Sequence, residues 1–147
     1  MPANRATFEA TRNSPLAYYA YLIAVSRNYD FLCGVHPNIR EHTRLRLTHR
    51  VATIRLINDT IRDLTGPPPD ELIGAVLVLT AADPIDFGEA TSYSSSRFCS
   101  PLATAQWLNM YGAQPFVAAH AIGLVELIRL KGGWDQFKTD GLARIAE

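Results

Sequence analysis

The chain has 147 residues, with 14 lysines and arginines against 14 aspartates and glutamates, and 48% of the residues are hydrophobic. That length suits one domain, and a chain of this size buries roughly 70% of the surface it exposes when unfolded. So apolar a composition excludes a disordered chain, and zero net charge argues against free-standing nucleic-acid binding, which needs a basic surplus to neutralise phosphates.

Residues 1–13 carry no helical period and are read as a flexible N-terminal segment, with no apolar core that would serve as a secretory signal. A helical domain follows over 14–147. Ser14-Pro15 is a helix start, and Leu16, Tyr19, Ile23 and Ser26 continue at helical spacing, so a helix is predicted over about 15–32. Gly34 and His36-Pro37 stop it. Leu47, Val51, Ile54, Ile57, Ile61 and Leu64 then recur at steps of three and four, the buried face of one long helix or of two joined near His42. Gly66 and Pro67-Pro68-Pro69 end that stretch. Pro69-Asp70-Glu71 opens a third helix, its acids facing the partial positive charge of the helix N-terminus. Leu72, Ile73, Val76, Leu77, Val78 and Leu79 surround its axis, the pattern of a central, buried helix ended by Pro84.

Residues 85–100 lack a period and form the longest loop. A short helix is expected at about 101–111 and a longer one over 115–131, where Phe116, His120, Leu124, Leu127 and Lys131 lie along one row. Gly123 would permit a close helix crossing, and Gly132-Gly133 would terminate the helix in a left-handed turn. Trp134 and Phe137 are expected to pack back, before a last helix at about 140–146 that buries Leu142 and Ile145. No segment alternates as a half-buried strand does. The fold class expected is all-α: five to six helices in an antiparallel bundle or an array of helix pairs.

The residues that bear chemistry are few. His42 and His49 are about 10 Å apart on a helix, too far to share a metal that bonds each ligand at about 2 Å. Asp83, Asp86 and Glu89 lack the spacing of a calcium loop. Two cysteines, Cys33 and Cys99, cannot build a thiolate zinc site. No nucleophile elbow, zinc-protease motif or glycine-rich phosphate loop is present, so no metal, cofactor or catalytic residue is expected. Tyr18, Tyr19 and Tyr21 read as packing and polar rim. Charge is uneven: six arginines face three acids between His36 and Thr65, whereas nine acids outnumber five basic residues from Gly66 onward. Arg40, Arg44 and Arg55 could share one side of the second helix and form, with His120 elsewhere, a candidate partner or ligand surface.

Two segments carry a resemblance: Pro69-Asp70-Glu71-Leu-Ile-Gly-Ala-Val-Leu-Val-Leu79, and His120-Ala-Ile-Gly-Leu-Val-Glu-Leu-Ile-Arg-Leu-Lys-Gly-Gly133. Together with Ala52-Thr-Ile54-Arg-Leu56 and Gly141-Leu142, in the same order, they resemble the fungal-specific transcription factor domain. This is the helical regulatory region found downstream of binuclear zinc cluster DNA-binding domains. The chain departs from that pattern at Lys131, where arginine is usual, and it lacks the six clustered cysteines of the DNA-binding module.

The resemblance implies a non-enzymatic regulatory or interaction domain in transcription regulation, nuclear in location, with a protein partner or small-molecule effector and no direct nucleic-acid contact. It also implies a domain shortened at its C-terminus. The alternative is a small helical metabolite-binding protein or enzyme with a pocket near His120 and the 84–100 loop. Neither reading involves a membrane.

Overall fold

The computed structural model describes residues 11–33, 39–81 and 117–138. The loop at 84–100, the acids Asp83, Asp86 and Glu89, and the helices expected at 101–111 and 140–146 lie outside the described residues. The chain is all-α. Among the described residues, four α-helices are followed by one turn of 3-10 helix: α1 (Pro15–Cys33), α2 (Ile39–Arg62), α3 (Asp70–Thr80), α4 (Ala118–Lys131) and Trp134–Gln136. Residues 11–13 make a helical turn ahead of Ser14, and no strand forms among the described residues.

Ser14 caps α1 as its sequence suggests. Its Oγ accepts a hydrogen bond from the Ala17 N–H at 3.3 Å, and its carbonyl accepts one from the Tyr18 N–H at 2.9 Å. The helix turns Leu16, Ala20 and Ile23 inward. Two tilted ring contacts, Tyr19 with His49 at 5.7 Å and Tyr29 with His42 at 5.6 Å, align α1 antiparallel to α2.

α2 is one continuous helix, with Glu41 in its first turn and Arg62 in its last. Its rotation differs from the one expected. Leu47, Val51 and Ile61 are 39%, 48% and 46% exposed, while Arg46, Thr53 and Ile57 are buried. The inner face tolerates Thr53 because its hydroxyl donates to the His49 carbonyl at 2.8 Å, and the buried Arg46 is not without an interaction partner. Only Ile57, with Ile54 and Leu56 partly buried beside it, joins the apolar core.

α3 is the central helix. Leu72, Ile73, Ala75, Val76 and Leu79 are all buried, and α1, α2 and α4 all pack on it. Both its ends are held. At the C-terminal end, the Arg27 guanidinium of α1 donates to the carbonyls of Val78 and Ala81, supplying donors to acceptors at the end of the helix, where intrahelical partners run out. At the N-terminal end, Asp70 meets Lys131 of α4. α4 runs antiparallel to α3: the Val117 N–H donates to the Thr80 carbonyl at 2.8 Å at one end, and Asp70 and Lys131 close the other.

Glycine ends α4 as expected. Gly132 and Gly133 have φ of 97° and 102°. Their N–H groups donate to the carbonyls of Arg129 and Ile128, the double closure of a Schellman turn. Trp134 and Phe137 then stack at 5.5 Å and pack against the core. Gly123 does not serve the close crossing expected of it: a Cβ there would meet nothing within 4 Å.

Candidate functional site

The outer face of α2 follows from its rotation. With Arg46, Thr53 and Ile57 inside, Arg44, Leu47, Thr48, Val51 and Arg55 turn outward together. These residues and Ala52 line a shallow hollow of about 420 Å³. Arg44 and Arg55 stand at its two ends, eleven residues apart, or about 16 Å along the axis at ~1.5 Å per residue. Neither makes an ion pair with a described residue. Leu47 and Val51, one turn apart, fill the middle. Among the described residues no acid lines the hollow, and Asp59, the nearest acid C-terminal to it along α2, is paired with Arg62 at 3.2 Å.

Of the residues singled out from the sequence, the structure brings Arg44 and Arg55 onto this one face. Arg40 lies in the first turn of α2, and its side chain is outside the described residues. His120 is elsewhere, half-buried near the start of α4, where its N–H donates to the Val117 carbonyl at 3.0 Å. It does not line the hollow. His42 and His49 cover tyrosine rings of α1, and no cluster of three His, Cys, Asp or Glu side chains suited to a metal occurs among the described residues. No described helix is long and apolar enough to cross a membrane.

A second site was missed in the sequence. Lys131 Nζ lies 2.6 Å from Asp70 Oδ1 and donates to the Pro68 carbonyl at 2.8 Å. Asp70 Oδ2 accepts from the Lys138 N–H at 2.8 Å, and the Phe137 ring lies 5.4 Å from the ammonium. Both charged side chains are under a tenth exposed. Asp70 and Lys131 each had a local explanation at their own helix ends, and nothing local announces that they meet. The arrangement is a structural clamp: the Pro68 carbonyl and the Lys138 N–H hold the pair from the main chain, and each charge faces the other.

The far side of α4 has different electrostatics. Arg129 donates two hydrogen bonds to Glu126, holding that carboxyl below its usual range, while Glu126 raises the guanidinium. Ile122 and Val125 are exposed on the same helix.

Comparison with protein-family models, with curated proteins and with solved structures finds no match to this chain.

Proposed function

We propose that the chain is a non-catalytic helical regulatory domain that works by contact with a protein partner, of the kind found in fungal transcription factors. It acts in the nucleus and does not itself contact DNA. The observation that carries the reading is the outward row of Arg44, Leu47, Val51 and Arg55. Partly exposed apolar side chains lie between two arginines that make no ion pair with a described residue, on a helix whose inner face is filled by other residues. Such a face suits recognition better than it suits folding.

The link to transcription rests on the resemblance. Its two segments adjoin in the fold: the segment that begins at Pro69 and the one that ends at Gly133 are joined by Asp70 and Lys131. Lys131, the departure from the family's pattern, keeps the positive charge there. The alternative, a metabolite site near His120 and the 84–100 loop, turns on a loop outside the described residues.

The test is a tethering assay. The full chain is fused to a heterologous DNA-binding module without an activating segment and expressed in a fungal reporter strain. A severalfold change in reporter transcription over the module alone is expected, in either direction. A nuclear, well-expressed fusion with no effect would overturn the reading, as would saturable binding of duplex DNA by the purified chain at physiological salt.

A further inference from the structure

We infer that the α2 face binds an acidic amphipathic helix of a partner protein, an inference that rests on reading the chain as an interaction domain. Complementarity names the occupant. Among its described lining residues the hollow offers two positive charges at its ends, two branched aliphatic side chains between them, and no negative charge. Leu47 and Val51 are four residues apart and therefore lie along one row, the geometry that an apolar stripe on a second helix matches. Acids flanking that stripe would reach Arg44 and Arg55, about 16 Å apart at ~1.5 Å rise per residue, a span of roughly three turns.

The other occupants fit less well. A second copy docked through a two-fold axis would bring this arginine-bearing face against itself, setting like charges close together. A nucleic-acid backbone would meet only two arginines here, would leave Leu47 and Val51 without apolar partners, and would gain little from a chain of zero net charge. The apolar row is also not borrowed from the core, because α2 packs on α1 and α3 through Arg46, Thr53 and Ile57.

The experiment is fluorescence anisotropy with the full chain and a labelled synthetic peptide of about 18 residues, long enough to span the face as a helix. The peptide carries leucines at helical spacing and glutamates beside them. A control peptide replaces every glutamate with lysine. Saturable binding of the acidic peptide alone is expected, weakening as salt rises. The double variant Arg44→Glu/Arg55→Glu and the double variant Leu47→Ser/Val51→Ser should each weaken it at least tenfold. Arg129→Ala, on α4, should leave it unchanged. Circular dichroism checks that the variants fold, and Arg44→Ala/Arg55→Ala replaces the first pair if charge reversal disturbs α2.

Absence of saturable binding, equal binding of the lysine peptide, or indifference to both double variants would overturn the inference. So would self-association of the chain, or binding of a duplex DNA probe, that these variants abolish. The two proposals fail separately. An active tethered fusion without peptide binding removes only the acidic-helix partner, whereas peptide binding with a silent fusion removes the link to transcription.

Discussion

Lys131 and Asp70 form a buried ion pair that fastens the last turn of α4 to the first turn of α3. Two charges taken out of water are costly, and a contact at 2.6 Å offsets that cost only when the remaining donors and acceptors are met. Here the Pro68 carbonyl takes one ammonium proton and the Lys138 N–H one bond to Asp70 Oδ2. Removing one partner leaves the other charge buried without its counterion. Lys131→Met and Asp70→Asn should therefore each lose about 3–5 kcal/mol, while the double variant Asp70→Leu/Lys131→Met stays within about 1 kcal/mol of the parent or exceeds it. Urea denaturation of the four proteins checks this. Additive losses in the double variant would mean that the two side chains act independently.

Arg27 grips the opposite end of α3. Arg27→Ala should cost about 1.5–3 kcal/mol, because two carbonyls lose a charged donor in a half-buried place. Arg27→Lys should recover only part of it, since an ammonium lacks the planar fork that spans two acceptors. Amide hydrogen exchange in the last turn of α3 should speed up first, ahead of its buried middle.

The glycines of the α4 segment should divide by backbone angle. Gly132→Ala and Gly133→Ala force a side chain into left-handed backbone and should each lose about 1–2 kcal/mol. At Gly132 the new Cβ would also approach Gln136 Cγ to 3.3 Å. Gly123→Ala places a methyl in open space within a helix and should gain about 0.5–1 kcal/mol. Thermal melts of the three variants decide it: the first two should fall and the third should rise.

Glu126 supplies a pH dependence of known sign. The Arg129 hydrogen bonds lower its folded pKa from 4.5, so whatever the pair adds to stability is complete above the usual carboxylate range and is lost as pH falls through the lowered value. Both groups are exposed, so the effect should shrink at high salt. An NMR titration should find the Glu126 carboxyl below 4.5 in the parent and back near that value in Arg129→Ala. An unchanged titration in the variant would contradict the assigned cause.

Local chemistry made much of this fold legible. Ser14-Pro15, Pro69-Asp70-Glu71 and Gly132-Gly133 punctuate the chain so strongly that one boundary each of α1, α3 and α4 followed from them. The all-round apolar pattern of α3 placed it at the centre, where it lies. The rotation of α2 was not legible. A row of Leu47, Val51, Ile54, Ile57 and Ile61 marks a helix, but periodicity does not say which row finds a neighbour, and two of the buried places went to Arg46 and Thr53. Pairing across the fold was equally hidden. Asp70 and Lys131 each suit their own helix end, so no residual oddity pointed from one to the other. The arginine face was half legible: a surplus of arginines in one helix suggested a surface, and only the rotation showed which of them share it.

Substitutions on the outer row of α2 should scarcely affect folding. Leu47→Ser and Val51→Ser should each change stability by no more than about 0.5 kcal/mol, as exposed positions usually do. Ile57→Ala, one helix face away and buried, should cost about 2–5 kcal/mol. Equal losses at all three would mean that the outer row is part of the core after all.

The turned α2 helix thereby lets the fold and the proposed partner surface be altered independently. Alleles at Leu47 and Val51 would yield a protein that accumulates normally and lacks only its contact, while alleles at Asp70 or Lys131 would lower the amount of protein and leave the contact chemistry of each surviving molecule intact. Measuring abundance beside activity in the same cells would sort any new variant of this chain into one group or the other.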